Sequence, residues 1–208
     1  MNSVEGLART ARRLRATSLA KRGRAGKHLP AVLFFTDPLR TADAEAVIAT
    51  LPRGSGVVFR AFGAPDALAL GRRLAAAARR GGLRFWVGAD VGLAVALKAY
   101  GVHLPQRLAG RAGVHRAIRR RFCLTAAAHD GPAVARLRRA GVDALVISPV
   151  FSSRSPSAGR PLGVMAFARL ARQAALPVYA LGGVNAASAK RLGGSGAAGV
   201  AAIDGLIV

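Results

Sequence analysis

Few side chains in this chain can move a proton near neutrality. It carries four histidines, and two of them, His103 and His129, lie in or just after short apolar runs. His129 follows shortly after the run Arg121–Thr125, a strand that would lead to it at the site, a place from which an imidazole can take and return a proton. The competing reading is a solvent-facing or simply packed side chain. His103 sits inside Gly101–Leu104 and reads as structural, or as a support for a neighbour at the site, together with Gln106. A second kind of chemistry is anion binding. Pro177–Leu181 opens into Gly182-Gly183 ahead of a helical stretch at Asn185–Leu192. Glycines let backbone N–H groups come close to a ligand, and a helix N-terminus favours negative charge. The N–H groups near Ala202, Ile203 and Asp204, at the end of the run Gly199–Ile203, would complete such a cradle. Ser152 and Ser153 offer hydroxyl donors, and Arg60 offers a guanidinium at the end of Gly56–Arg60. Together these residues point to a phosphorylated small molecule.

Alternating elements would bring these residues to one place. Apolar runs at Ala31–Thr36, Gly56–Arg60, Arg84–Val87, Gly101–Leu104, Arg121–Thr125, Ala144–Ser148, Pro177–Leu181 and Gly199–Ile203 read as eight strands. Between them the periodicity predicts helices over 41–51, 65–80, 91–100, 131–140, 164–174 and 185–192, with a brief one near 113–119. Such alternation implies parallel pairing with helices outside, and eight units imply a compact, single-domain (β/α)₈ barrel. A doubly wound open sheet is the structural alternative. In a barrel of this kind the site lies at the C-terminal ends of the strands, where all the residues named above fall. The domain is expected over residues 30–208. Residues 1–29 form a basic extension whose stretch 4–22 has helical composition and could cover part of the barrel.

Composition narrows the class. Apolar residues make up 52 % of the chain, yet no apolar run approaches the ~20 residues a membrane span needs. The basic N-terminus lacks the apolar segment of a secretory signal. The single Cys123 excludes an internal disulfide and suits a reducing cytoplasm; packing explains it better than nucleophilic chemistry. The net charge of +23 is mostly arginine scattered over predicted helices, with only 5 % aromatics and no stacking platform. No specific nucleic-acid partner and no membrane partner are expected.

Several segments make the pattern recognisable. Gly-Val-His-Leu-Pro-Gln at 101–106, Ala-Ala-His at 127–129, Ser-Pro-Val-Phe-Ser-Ser at 148–153, Ala-Leu-Gly-Gly-Val at 180–184 and Gly-Val-Ala-Ala-Ile at 199–203 resemble the thiamine phosphate synthase/TenI superfamily in order and spacing over about residues 30–205. The resemblance implies a TIM barrel and one of two activities. The synthase branch joins a pyrimidine diphosphate to a thiazole phosphate with Mg²⁺ and releases pyrophosphate. The TenI branch aromatises a thiazole carboxylate phosphate by proton transfer and needs no metal. In the synthase branch an Asn-Asp pair follows strand three and a further Asp follows strand four. This chain has Gly88 and Ala89 at the pair, Asp90 one residue off, and Leu108 at the second site. Val58 and Phe62 replace the Gln and Lys that flank the strand-two Arg, and Pro156 replaces the Lys of the strand-six loop. His129 matches the proton-transfer histidine of the TenI branch. The expectation is therefore a TenI-like tautomerase with no metal or other cofactor, acting on a phosphorylated thiazole. A divergent synthase, with Mg²⁺ in that case only, and a non-catalytic phosphate-binding barrel are the alternatives. Self-association is a family-level expectation.

Overall fold

The computed structural model describes residues 3–22, 26, 28–109, 122–153, 155 and 159–207. The short helix expected near 113–119 and Pro156 lie outside the described residues. Eight strands close into one barrel, each parallel to its neighbours: β1 Val32–Phe35, β2 Gly56–Phe59, β3 Arg84–Gly88, β4 Gly101–Leu104, β5 Cys123–Ala128, β6 Ala144–Ile147, β7 Val178–Ala180 and β8 Gly199–Ala202. β8 returns to β1 in the register Val32↔Val200, so no edge is left open. An open sheet is excluded.

The strands are apolar on both faces because both faces are covered. Along β1, Leu33 and Phe35 join the inner cluster with Val58, Trp86, Val146 and Tyr179. Val32 and Phe34 join the outer cluster beneath the helices. The inner core is tight where large rings meet the backbone. A Cβ at Gly101 would stand 2.1 Å from Trp86 Nε1 and 2.2 Å from the Cys123 carbonyl, so only glycine fits the start of β4.

Among the described residues the helices are α1 Ser3–Arg22, α2 Ala44–Thr50, α3 Ala67–Arg80, α4 Val91–Ala96, α5 Gly131–Ala140 and α6 Gly163–Ala174. Their starts follow local rules. Asp43, Asp90 and Asp130 accept the N–H of Ala46, Leu93 and Ala133, and so cap α2, α4 and α5. Gly141 ends α5 in the left-handed conformation. Two expectations are corrected. The helix expected over 91–100 stops at Ala96, before a turn in which Lys98 takes φ +50°. The helix expected over 185–192 is a five-residue 3₁₀ turn, Ser188–Leu192. Asn185 Oδ1 accepts the N–H groups of Ala187 and Ser188, which starts a tight turn, and the left-handed Gly194 and Gly196 follow it at once.

Among the described residues β8 is followed only by the 3₁₀ turn Asp204–Leu206. α1 packs there instead, against β1, β8 and both 3₁₀ turns. Val4, Leu7, Ala8 and Ala11 are buried in the same outer core as the barrel strands, and Leu7 alone is worth about 1.5–3 kcal/mol of apolar burial. Among the described residues no helix is long and apolar enough to cross a membrane.

Candidate active site

The C-terminal ends of the strands surround a cavity of about 1210 Å³. Its lining includes Arg60, His103, His129, Ser152, Ser153, Gly182, Gly183, Ala202 and Ile203, so residues up to 143 positions apart are gathered at one mouth. Gln106 is placed differently. Its Oε1 accepts the backbone N–H of His129 at 2.8 Å and its Nε2 reaches Asp130 at 3.4 Å, so it braces the end of β5.

His129 is exposed to the cavity, and its ring is oriented by β6. Its Nδ1 lies 2.7 Å from the Ser148 carbonyl oxygen and 3.3 Å from Ser148 Oγ. A carbonyl can only accept, so Nδ1 carries the hydrogen. In the neutral ring Nε2 then holds the lone pair and is the atom able to take a proton.

His103 is a different kind of histidine. It is buried, with Nδ1 3.0 Å from Thr125 Oγ1 on the adjacent strand and Phe35 edge-on at 5.0 Å. Burial, with smaller contributions from the Arg60 and His129 charges, pushes its pKa down to about 3. It stays neutral and forms part of the cavity floor.

Arg60 is fixed from several sides. Its backbone N–H donates to Thr36 Oγ1 at 3.0 Å, its Nε to the Thr36 carbonyl at 2.8 Å, and its guanidinium to Asp37 Oδ2 at 3.0 Å. The guanidinium also lies over the rings of Phe62, at 4.9 Å, and Phe35, at 5.7 Å. Burial pulls its pKa below the ordinary value, the Asp37 carboxylate opposes that, and Arg40 adds to it. An arginine so placed remains charged.

The glycine pair has a reason beyond ligand approach. Gly182 and Gly183 have φ +91° and +63°, and the β6 loop runs directly over them. A Cβ at Gly183 would stand 2.2 Å from the Ser152 carbonyl, and one at Gly182 would stand 2.7 Å from Pro149 Cα. The Gly183 and Ile203 N–H groups donate to no protein acceptor among the described residues, while a short 3₁₀ turn stands where a helix dipole was expected.

Sequence reasoning missed three cavity arginines. Arg40 makes a two-pronged ion pair with Asp204, at 3.1 and 2.5 Å, which neutralises the carboxylate beside the β8 end. Arg107 and Arg160 line the cavity, are exposed, and make no ion pair among the described residues. Arg107 adjoins the 101–106 segment and could have been noticed. The Arg40–Asp204 pair spans 164 positions and leaves no local signal.

The carboxylates near the mouth do not suit Mg²⁺, which wants hard oxygen ligands free to coordinate. Asp37 is held by Arg60 and Asp204 by Arg40. Asp90 and Asp130 each cap a helix. Among the described residues no three His, Cys, Asp or Glu side chains group closely enough to hold a metal ion.

The family model described as thiamine monophosphate synthase matches residues 34–206. The chain belongs to this family. A thiamine-phosphate synthase from Roseiflexus sp. (strain RS-1) is 34 % identical over 145 residues, covering 69 % of this chain and 61 % of the relative. A putative thiamine-phosphate synthase 2 from Aquifex aeolicus is 30 % identical over 112 residues, 54 % of this chain and 60 % of the relative. The matched stretch thus spans about three fifths of the length of these curated relatives. Among solved structures, thiamine phosphate pyrophosphorylase from Pyrococcus furiosus superposes with a TM-score of 0.71 at 24 % identity, covering 85 % of this chain and 86 % of that one. FabK from Thermotoga maritima superposes with a TM-score of 0.67 at 17 % identity, covering 88 % of this chain and 62 % of that one. Both likenesses bear on the barrel alone. The relatives are named as synthases, which favours the transferase alternative; the isomerase expectation built on His129 finds no support in those names.

Proposed function

We propose that this protein is a transferase of the thiamine-phosphate synthase type, joining a pyrimidine diphosphate to a thiazole phosphate. The observation that carries the reading is the mouth itself. Its volume of about 1210 Å³ exceeds the roughly 300–1,000 Å³ usual for one small ligand. Its donors are of two sorts: guanidinium groups on the loops after β1, β2, β4 and β6, and backbone N–H groups at Gly183 and Ile203 that meet no protein acceptor among the described residues. Two anionic substrates can be held side by side by such a set. Family membership and the relatives' names support the same choice.

In the transfer, the carbon–oxygen bond to the diphosphate breaks as the bond to the thiazole forms, and the diphosphate departs with the electron pair. The charge it develops needs fixed positive partners in a site largely shielded from water. Arg60, already oriented by Thr36 and Asp37, is such a partner; Arg107 and Arg160, exposed at the rim and without an ion pair among the described residues, add positive charge there. The carboxylates do not fit Mg²⁺, and no step is routed through it. His129 favours a second reading, tautomerisation of a single thiazole carboxylate phosphate, because its Nε2 is held free to accept a proton.

The test is to incubate the purified full chain with both substrates, with Mg²⁺ or with EDTA, and to measure pyrophosphate and thiamine phosphate. Product in both conditions is expected. Product only with Mg²⁺ would overturn the guanidinium account and keep the transferase. No product in either, with aromatisation of the thiazole carboxylate phosphate, would put the second reading in its place.

A further inference from the structure

A second cavity, of about 250 Å³, lies away from the mouth, between α1 and the loop that leads into β8. It is lined by Arg13, Thr17 and Ser18 of α1, by Lys190, and by the glycine loop around Gly194 and Gly196. None of its lining residues is acidic. Arg13 and Lys190 are exposed and form no ion pair among the described residues, so two cations border one small space whose lining holds no acid.

Ser18 is the telling residue. Leu7, Ala11, Leu14 and Ser18 recur at helical spacing on the buried stripe of α1, and the first three pack into the core. Ser18 is only 5 % exposed, lines the cavity, and makes no hydrogen bond among the described residues. Its hydroxyl is not sealed from solvent but opens onto the cavity, free to bond a ligand or water, where apolar residues precede it on the stripe. Its neighbour Thr17 spends its hydroxyl proton on the Arg13 carbonyl, at 3.1 Å, so Ser18 holds the free donor. Across the cavity Gly194 and Gly196 take φ +73° and +86°, and their N–H groups donate to no protein acceptor among the described residues. The cavity is smaller than a typical metabolite pocket and large enough for a compact anion with its waters.

We infer that this cavity is a second anion site, built for a tetrahedral oxyanion of phosphate size, either free or as the terminal group of a phosphate monoester. Arg13 and Lys190 supply charge, and Ser18 with the Gly194 and Gly196 amides supplies directed hydrogen bonds. The inference is independent of the activity proposed for the mouth. It gives the basic N-terminal helix a role beyond covering β8.

The high overall charge makes bulk phosphate binding a poor readout, so the test must be local. The full chain, ¹⁵N-labelled, is titrated at constant ionic strength with inorganic phosphate and, separately, with glycerol phosphate, and the amide signals of Gly194 and Gly196 are followed. Saturable shifts at these two amides are expected with at least one probe. Glycerol phosphate binding as well as inorganic phosphate would mark a monoester site, and inorganic phosphate alone would mark a site for the free ion. Ser18→Ala, which removes only the hydroxyl and should fold normally, is expected to weaken the saturable binding about tenfold. Arg13→Ala combined with Lys190→Ala is expected to abolish it while leaving mouth binding unchanged. Linear, non-saturating shifts, or affinities unchanged in both variants, would overturn the inference.

Discussion

Gly183→Ala separates the packing role of the glycine pair from its role toward a ligand. Two costs can be read from the backbone. Gly183 has φ +63°, a left-handed conformation that costs a side-chain-bearing residue about 1–2 kcal/mol. The added Cβ would also stand 2.2 Å from the Ser152 carbonyl and 2.8 Å from Phe151 Cβ, and overpacking of that kind costs about 1–3 kcal/mol. The sum, about 2–5 kcal/mol, is a large share of a typical folding stability. The control is Gly54→Ala, where φ is +82° and nothing lies within 4 Å, so the conformational cost stands alone. The expected difference between the variants is therefore about 1–3 kcal/mol. In a chain of this size each kcal/mol moves Tm by about 2–4 °C, so Gly183→Ala should melt roughly 2–12 °C below Gly54→Ala. Because the clash is with the β6 loop, Ser152 and Ser153 must move with it, and KM for the phosphate substrates should rise while Gly54→Ala leaves it unchanged. Thermal melts and steady-state pyrophosphate release measure both. Equal melting temperatures in the two variants would refute the packing argument. A lowered Tm with an unchanged KM would show that the loop is not part of the site.

Further outcomes follow from the same geometry. Arg60→Lys keeps the charge but loses the fork that bonds Thr36 and Asp37 at once, so kcat/KM should fall about 10–100-fold with little change in Tm; an unchanged kcat/KM would remove Arg60 from the site. His103 is held neutral, with a pKa of about 3 against 6.5 when unfolded, so the unfolded state binds its proton first as pH falls. Its contribution to stability is complete above pH ~6.5 and is lost progressively on acidification toward pH 3. Urea midpoints at pH 7 and pH 5 should show a steeper loss in the wild type than in His103→Asn, and parallel losses would contradict the burial account. If aromatisation is detected, His129→Asn should lower it by about 10²–10⁴ with phosphate affinity intact, as expected for loss of a proton-transfer group. Cys123 should resist alkylating reagents in the native state, because burial pushes its thiol up to about 12; fast labelling without unfolding would argue otherwise.

The barrel was legible in the chain itself. Eight apolar runs at βα spacing, alternating with stretches of helical periodicity, imply parallel strands with helices outside, and that is local chemistry repeated along the chain. The same spacing placed His129, Arg60 and the glycine pair at strand ends, hence at one mouth. Tertiary structure decided what those residues are free to do. Nothing local to Asp37 or Asp204 shows that Arg60 and Arg40 hold them, because an ion pair spanning 164 positions depends on barrel closure bringing β1 and β8 together. His129 could be read as a proton carrier from its place after β5, but its tautomer is set by the Ser148 carbonyl at the end of another strand. His103 and His129 look alike in sequence, and only burial against Thr125 and Phe35 makes one inert and leaves the other exposed. The glycines at 182–183 suggested an anion, yet their first requirement is the β6 backbone crossing them, a contact no window of sequence contains. Local propensity fixes which element forms; partners far along the chain fix the charge, protonation and packing of its ends.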